Sequence, residues 1–290
     1  MFGVVLYILY RQISRVDKET WSSFSLKNPI GLVGMILLVI PNLGIEFMKW
    51  KLTLKTLSIS PDNSTVIQSF FAGIVTGMVT PNMLGNFIGR FYYFQRRHRV
   101  QIILLTLLSN FAQYLASLTF GLISVISLGG LLILENQAFI VLGVTVVLFI
   151  SIIFFFFFEK ILGLIKKRQY SIRLKDYLRN NKEYRWKLLG LSFLRFLVFT
   201  SQFTLLMYAF GEEISIGLVL AIWQLYLLTL IAPSLFLGKI GVKESIAIVV
   251  LGSIGVNEFS ILFASLTVWL VNNISPTLFG LLITKKGKNV

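Results

Sequence analysis

No charged residue occurs between Val100 and Leu134. A helix crosses the ~30 Å hydrocarbon core of a bilayer in about 20 residues. The run is too long for one straight span, so we expect it to cross and turn near Gly129–Gly130. Further spans are expected at Asn28–Ile45, Asn136–Phe158, Leu188–Phe210 and Phe259–Thr284; Ile214–Gly238 is a further uncharged run, while Phe2–Tyr10 and Ser245–Asn257 are apolar but short. With 56% apolar residues and a mean hydropathy of +0.82, a soluble fold would need a larger core than 290 residues can enclose. The expected fold is an all-α polytopic membrane protein with about six transmembrane helices. We expect one domain over 1–290, with a first half to about 158, a basic loop at 159–187 and a second half from about 188.

One uncharged run, Asn63 to Gly89, is interrupted by Pro81 with Gly73, Gly77, Gly85 and Gly89 around it, and it leads to Arg90, Arg96, Arg97 and Arg99. Proline removes a backbone donor and clashes one turn back, and glycine frees the backbone. In lipid, freed backbone groups are tolerated only where protein buries them or where they line a cavity. This stretch reads either as a proline-kinked span or as a broken helix that marks a substrate site.

The net charge of +15 sits in basic segments that flank apolar spans, a pattern of membrane orientation and anionic headgroups rather than of nucleic-acid binding. There is no cysteine, and His98 is the sole histidine, which excludes a cysteine nucleophile, a Cys-bearing zinc site and a disulfide framework. No Gly-rich phosphate loop with its lysine occurs, so no ATPase motor is expected, and no cofactor.

The clusters at 49–55, 90–99, 160–187 and 285–288 hold twenty of the twenty-seven Lys and Arg residues. Lys/Arg-rich short loops face the cytoplasm of a cell membrane, so all four are expected inside, with Glu135, Glu212–Glu213 and Glu258 outside. The segment Arg11–Lys27, with Trp21 as an interfacial anchor, fits this rule poorly. Lys55 and Arg90 then share a side, so 63–89 enters and leaves by one face: a re-entrant helical hairpin with Pro81 near its tip. The same parity makes 214–257 a second hairpin from the opposite face, with Pro233, Gly238 and Gly241 at its turn. Two such hairpins in matching places point to an inverted repeat with a midplane site. Full crossings are the alternative.

The stretches KWKLTLKTL, TPNMLGNFIGRFYYF and PSLFLGKIGVKE resemble the transmembrane flippase family of lysylphosphatidylglycerol synthases over nearly the whole chain. Pro81, Gly85 and Arg90 match a Pro-x-x-x-Gly-x-x-x-x-Arg signature. Pro233, Gly238, Gly241, Val242, Lys243 and Glu244 match a later Pro–Gly–Gly–Leu–Gly–Val–Arg–Glu signature, with Lys239 in place of a glycine and Lys243 in place of the arginine. The arginine usual in the last span has no counterpart between Phe259 and Thr284. The resemblance implies an integral-membrane protein that moves or handles aminoacylated or other polar lipids. The synthases also carry a soluble aminoacyltransferase domain; the chain given ends at Val290, so tRNA use and synthase activity are not expected.

Candidate substrate-binding residues are Arg90, Pro81, Gly85, Arg195, Pro233, Gly238, Lys239, Gly241, Lys243 and Glu244, with no catalytic and no metal-binding residue. Arginine's planar fork suits a phosphate, which favours Arg90, although it reads equally as a plain cytoplasmic charge. Arg195, about two turns inside its span, is expected to snorkel to the interface. Lys239, Lys243 and Glu244 fall deep at the second turn, where charges mark function. Glu46 with Lys49 reads as an interfacial i,i+3 pair, His98 as a solvated loop residue, and Phe154–Phe158 as lipid-facing. We further expect Arg90 and Glu244 to face one another across a cleft between the hairpins.

Three functions fit. The first is a lipid translocator that passes a polar or aminoacylated headgroup between the hairpins, driven downhill or by an ion gradient. The others are a non-catalytic lipid-binding partner of a lipid-modifying enzyme and a membrane enzyme on lipid-linked substrates, although no acid/base or metal constellation favours the last. The expected partners are a phospholipid and the bilayer, with a homo-oligomer possible.

Overall fold

Pro29 can open a helix because its missing N–H is one of the donors a first turn leaves unpaired anyway. From it α1 (Pro29–Leu37) and α2 (Val39–Thr56) run as one stretch of 28 residues. The computed structural model describes residues 26–130, 137–162, 175–179, 181, 183–232 and 241–284. The expectations for Phe2–Tyr10, Trp21, Glu135, Pro233, Gly238, Lys239 and the lysines at 285–288 lie outside the described residues, as does most of the basic loop.

The chain continues through α3 (Asn63–Met78), a 3-10 turn (Pro81–Met83), α4 (Asn86–Phe91), α5 (Arg96–Ser127), α6 (Gln137–Phe156) and α7 (Phe158–Leu162). Then follow α8 (Glu183–Ala209), α9 (Ile216–Ile231), α10 (Val242–Gly252), α11 (Glu258–Trp269), a π-helical turn (Leu270–Ile274) and α12 (Ser275–Ile283). The described residues contain no strand, and five helical stretches are long and apolar enough to cross a membrane. The protein is an all-α polytopic membrane protein.

α5 ends where expected, on Gly129 and Gly130 with φ of 71° and 145°, and the Gly130 N–H donates back to the Val125 carbonyl. It begins at Arg96, so the basic residues 96–99, His98 included, form its first turn rather than a loop.

The broken stretch reverses. α3 has 16 residues, about 24 Å at ~1.5 Å per residue, which is short of a full crossing. Past the tip, α4 packs back along it. Gly85 lies against the Thr76 carbonyl and Gly89 against the Ala72 carbonyl, so the index rises along one arm as it falls along the other, and Gly73 makes room for the Arg90 side chain. A Cβ on Gly85 or Gly89 would collide with the opposing carbonyl, so these glycines set the approach of the arms. Thr80 Oγ1 accepts from Gly85 N–H at 2.6 Å, and Thr76 Oγ1 donates to the Gly85 carbonyl at 2.6 Å. These hydroxyls satisfy backbone groups that the break frees. Both ends of the stretch meet: Ser60 and Gln95 line one cleft of about 930 Å³. There Asp62 caps α3, accepting from the Thr65 hydroxyl and N–H, and the hydroxyl bond above all holds its carboxyl below the usual carboxylate range.

α8 is the central post, packed against α1, α2, α5, α9 and α11. The N–H groups of Lys27 and Asn28 donate to the Ala209 carbonyl, which pins the start of α1 to the end of α8. α12 lies on α3, with Phe279 edge-on to Phe71 at 5.0 Å. In the second half α9 and α10 pack together, and residues 233–240 between them lie outside the described residues.

The phenylalanine run is not simply lipid-facing. Phe155 and Phe158 are buried in a cluster with Trp50, Phe70 and Tyr184, while Phe157 is exposed. Each turn of a helix at this position presents one side to lipid and the other to protein, and five identical residues hide that division from the sequence.

Candidate functional site

One face of α2 carries Asn42, Glu46, Lys49 and Thr53, all buried, at spacings of four, three and four residues. Such spacing aligns them along one side of a helix. α2 continues to Thr56, so Glu46 lies about 15 Å before its end, and its side chain is buried by other helices. The expectation of a simple interfacial pair is therefore corrected. Glu46 is the shared counter-ion of a buried charge cluster. Its Oε1 accepts from Arg90 Nη2 at 3.0 Å, and its Oε2 lies 3.4 Å from Lys49 Nζ and 3.2 Å from Arg195 Nη1.

Each element delivers its charge for a local reason. Arg90 is carried by α4, which the glycine-lined hairpin holds against α3. Its side chain is only 1% exposed, unlike Arg96 and Arg97, so the plain cytoplasmic role fails. The guanidinium lies over Trp50 and Phe70, 5.1 and 5.6 Å from the ring centroids, where the rings' negative faces favour a cation. Trp50 is itself held, its indole N–H shared between Ser69 Oγ and the Val66 carbonyl. The Arg90 Nε–H is buried with no hydrogen-bond partner among the described residues.

Arg195 does not snorkel. α8 begins at Glu183, which puts Arg195 about 18 Å along the helix, and the side chain turns inward to Glu46 and to Asn42 Oδ1 at 3.2 Å. From Asn42 a chain of amides continues. Asn42 Nδ2 donates to Asn272 Oδ1 at 2.9 Å, and Asn272 Nδ2 donates to Gln202 Oε1 at 2.8 Å. Asn272 sits in the π-helical turn, a local irregularity that is frequent at functional positions. Beyond Lys49 in the other direction, the hydroxyls of Thr53 and Tyr184 share a bond of 3.1 Å. A polar line thus runs from Tyr184 to Gln202 through the contact of α2 with α4, α8 and the π turn.

The structure does not bring Arg90 and Glu244 together as partners. Arg90 is spent on Glu46. Glu244 is buried and accepts from Gly241 N–H at 2.6 Å and from Ser265 Oγ at 3.0 Å, which makes the glutamate half of a capping box at the start of α10. Gly241 has φ +84°, which an L side chain adopts only with strain, so its place in the motif is a backbone requirement. Lys243 lies over Phe203 and Tyr226 at 5.4 and 5.3 Å and makes no ion pair among the described residues. Pro81 is exposed at the hairpin tip, and Gly85 is buried behind it. Of the candidate residues, then, Arg90 and Arg195 meet, while Gly241, Lys243 and Glu244 form a separate group.

Glu46, Lys49, Asn42, Gln202 and Asn272 were missed. The signal was the polar stripe on α2 at helical spacing, obscured because Glu46 follows an apolar run and resembles its end.

A family model described as "Lysylphosphatidylglycerol synthase TM region" matches residues 2–280. No curated protein and no solved structure matches the chain.

Proposed function

Because the chain belongs to the family of the lysylphosphatidylglycerol synthase TM region, we propose that it is a lipid translocator that carries a polar headgroup past the Glu46–Lys49–Arg90–Arg195 cluster. The observation that carries this reading is the cluster itself: three cations around one carboxylate inside a bundle of membrane-spanning helices. Ionisable residues within spans are expensive, and they mark substrate paths more often than stable packing. A headgroup phosphate entering here exchanges water for two guanidinium groups and an ammonium, with the amide line toward Gln202 accepting its neutral hydroxyls.

In this proposal α3 with α4, and α9 with α10, are re-entrant hairpins from opposite faces of the cell membrane, related by a pseudo-two-fold axis in its plane. The basic ends face the cytoplasm. The lipid moves and its bonds stay unchanged, so the protein is not an enzyme.

Reconstitution into liposomes tests this. With a headgroup-labelled phospholipid and an external quencher, the parent protein should expose inner-leaflet label that protein-free liposomes protect. Arg90→Gln should slow that exposure by at least about tenfold, the factor that 1.4 kcal/mol represents. Label that binds the parent without changing leaflet would instead indicate a lipid-binding partner.

A further inference from the structure

The cluster is not electrically balanced. Both arginines stay charged, Lys49 lies at ion-pair distance from Glu46, and the single carboxylate leaves two positive charges over. No second carboxylate joins it among the described residues: Glu159 pairs with Arg185, Glu183 with Lys187, and Glu244 caps α10. Lys49 and Arg90 are each 1% exposed and the Glu46 side chain 10%, so water does little to screen the excess. The Arg195 side chain, 28% exposed, is the accessible side. The orphaned Nε–H of Arg90 is a further donor still to be used.

We propose that the lipid accepted here carries two negative charges on its headgroup, as a phosphomonoester or diphosphate does, and not an aminoacylated headgroup. This deepens the translocator reading and rests on it for the site's role. The counting is direct. A phosphodiester such as phosphatidylglycerol brings one negative charge and leaves one positive charge uncompensated. A lysylated phosphodiester brings a net positive charge and worsens the imbalance. A phosphomonoester, whose second ionisation lies near pH 6, brings two charges and closes the count. It also presents three terminal oxygens to three cations, where a phosphodiester presents two. An uncompensated charge held away from water is strongly unfavourable, so the difference separates these lipids.

The test measures binding preference. The full chain in phosphatidylcholine nanodiscs is titrated with phosphatidic acid, phosphatidylglycerol or lysylphosphatidylglycerol, and bound lipid is counted by native mass spectrometry. The parent should bind phosphatidic acid at least about tenfold tighter than phosphatidylglycerol, with the lysylated lipid weakest. Arg195→Gln leaves one positive charge, which phosphatidylglycerol alone closes, and should abolish or reverse the preference for phosphatidic acid, whereas Arg195→Lys should keep the parent ratio. The ratio is read within one protein sample, so a partly unfolded variant does not mimic the result. Equal or tighter binding of phosphatidylglycerol or the lysylated lipid by the parent overturns the proposal, as does a ratio unmoved by Arg195→Gln. The quencher assay answers separately: dianion preference without movement removes the translocator and keeps this inference, and movement with monoanion preference does the reverse.

Discussion

Glu46 is the residue on which the charge cluster depends, because three cations from two other elements and its own helix converge on its two oxygens. Removing one member of a buried ion pair costs about 3–5 kcal/mol, since the partner's charge is left without compensation. Glu46→Gln leaves three cations facing each other, whereas Arg195→Gln leaves a carboxylate with two. Glu46→Gln should therefore lower thermal stability in detergent well beyond Arg195→Gln. Equal melting temperatures for the two variants would show that the carboxylate does not hold the cations. Glu244 does a different job. It caps α10 through the Gly241 N–H and ties that end to Ser265. Glu244→Ala should cost about 1 kcal/mol, as lost caps do, while the ratio of lipid affinities stays at the parent value. A shifted ratio would place Glu244 in the headgroup path.

At the scale of elements, the α3–α4 hairpin depends on close approach of its arms and on two threonine hydroxyls at its tip. Its entry and exit share the cleft that Ser60 and Gln95 line, and both side chains are exposed. The parent has no cysteine, so Ser60→Cys and Gln95→Cys give clean reporters. An impermeant thiol reagent should label both from the same side of sealed vesicles, and labelling from opposite sides would rule out the re-entrant hairpin. Much of this element is legible in the sequence, because Pro81 and the four glycines state where a helix cannot continue. The stapling by Thr76 and Thr80 is not, since a threonine in an apolar run signals nothing until the chain has reversed beside it.

Across the whole molecule, charge is distributed in two ways. Most Lys and Arg residues lie in the basic segments, and a few lie inside. Near-surface Lys and Arg contribute roughly 1 kcal/mol each against an anionic leaflet, and salt weakens this. Neutralising Lys166, Lys167 and Arg168 together should weaken association with anionic vesicles and leave lipid preference untouched. A changed preference would bring the 159–187 segment into the substrate site. The two kinds of charge should thus separate experimentally: salt screens the first and has little effect on the second.

The sequence by itself determined the class of fold, the glycine turn at 129–130 and the break at Pro81. Each of these follows from local chemistry: the absence of charge, a missing N–H, a backbone without a Cβ. It also supplied Arg90 and Arg195 as candidates, but neither their partner nor each other. Whether a charge at the end of an apolar run lies at the interface or deep in the bundle depends on what other helices bring to it. Only the tertiary structure could decide that, by setting Arg90 and Arg195 against Glu46 from segments forty-four and about one hundred and fifty residues away. Glu244, expected to face Arg90, instead caps its own helix through the Gly241 N–H three residues back, and only its bond to Ser265 depends on a distant segment.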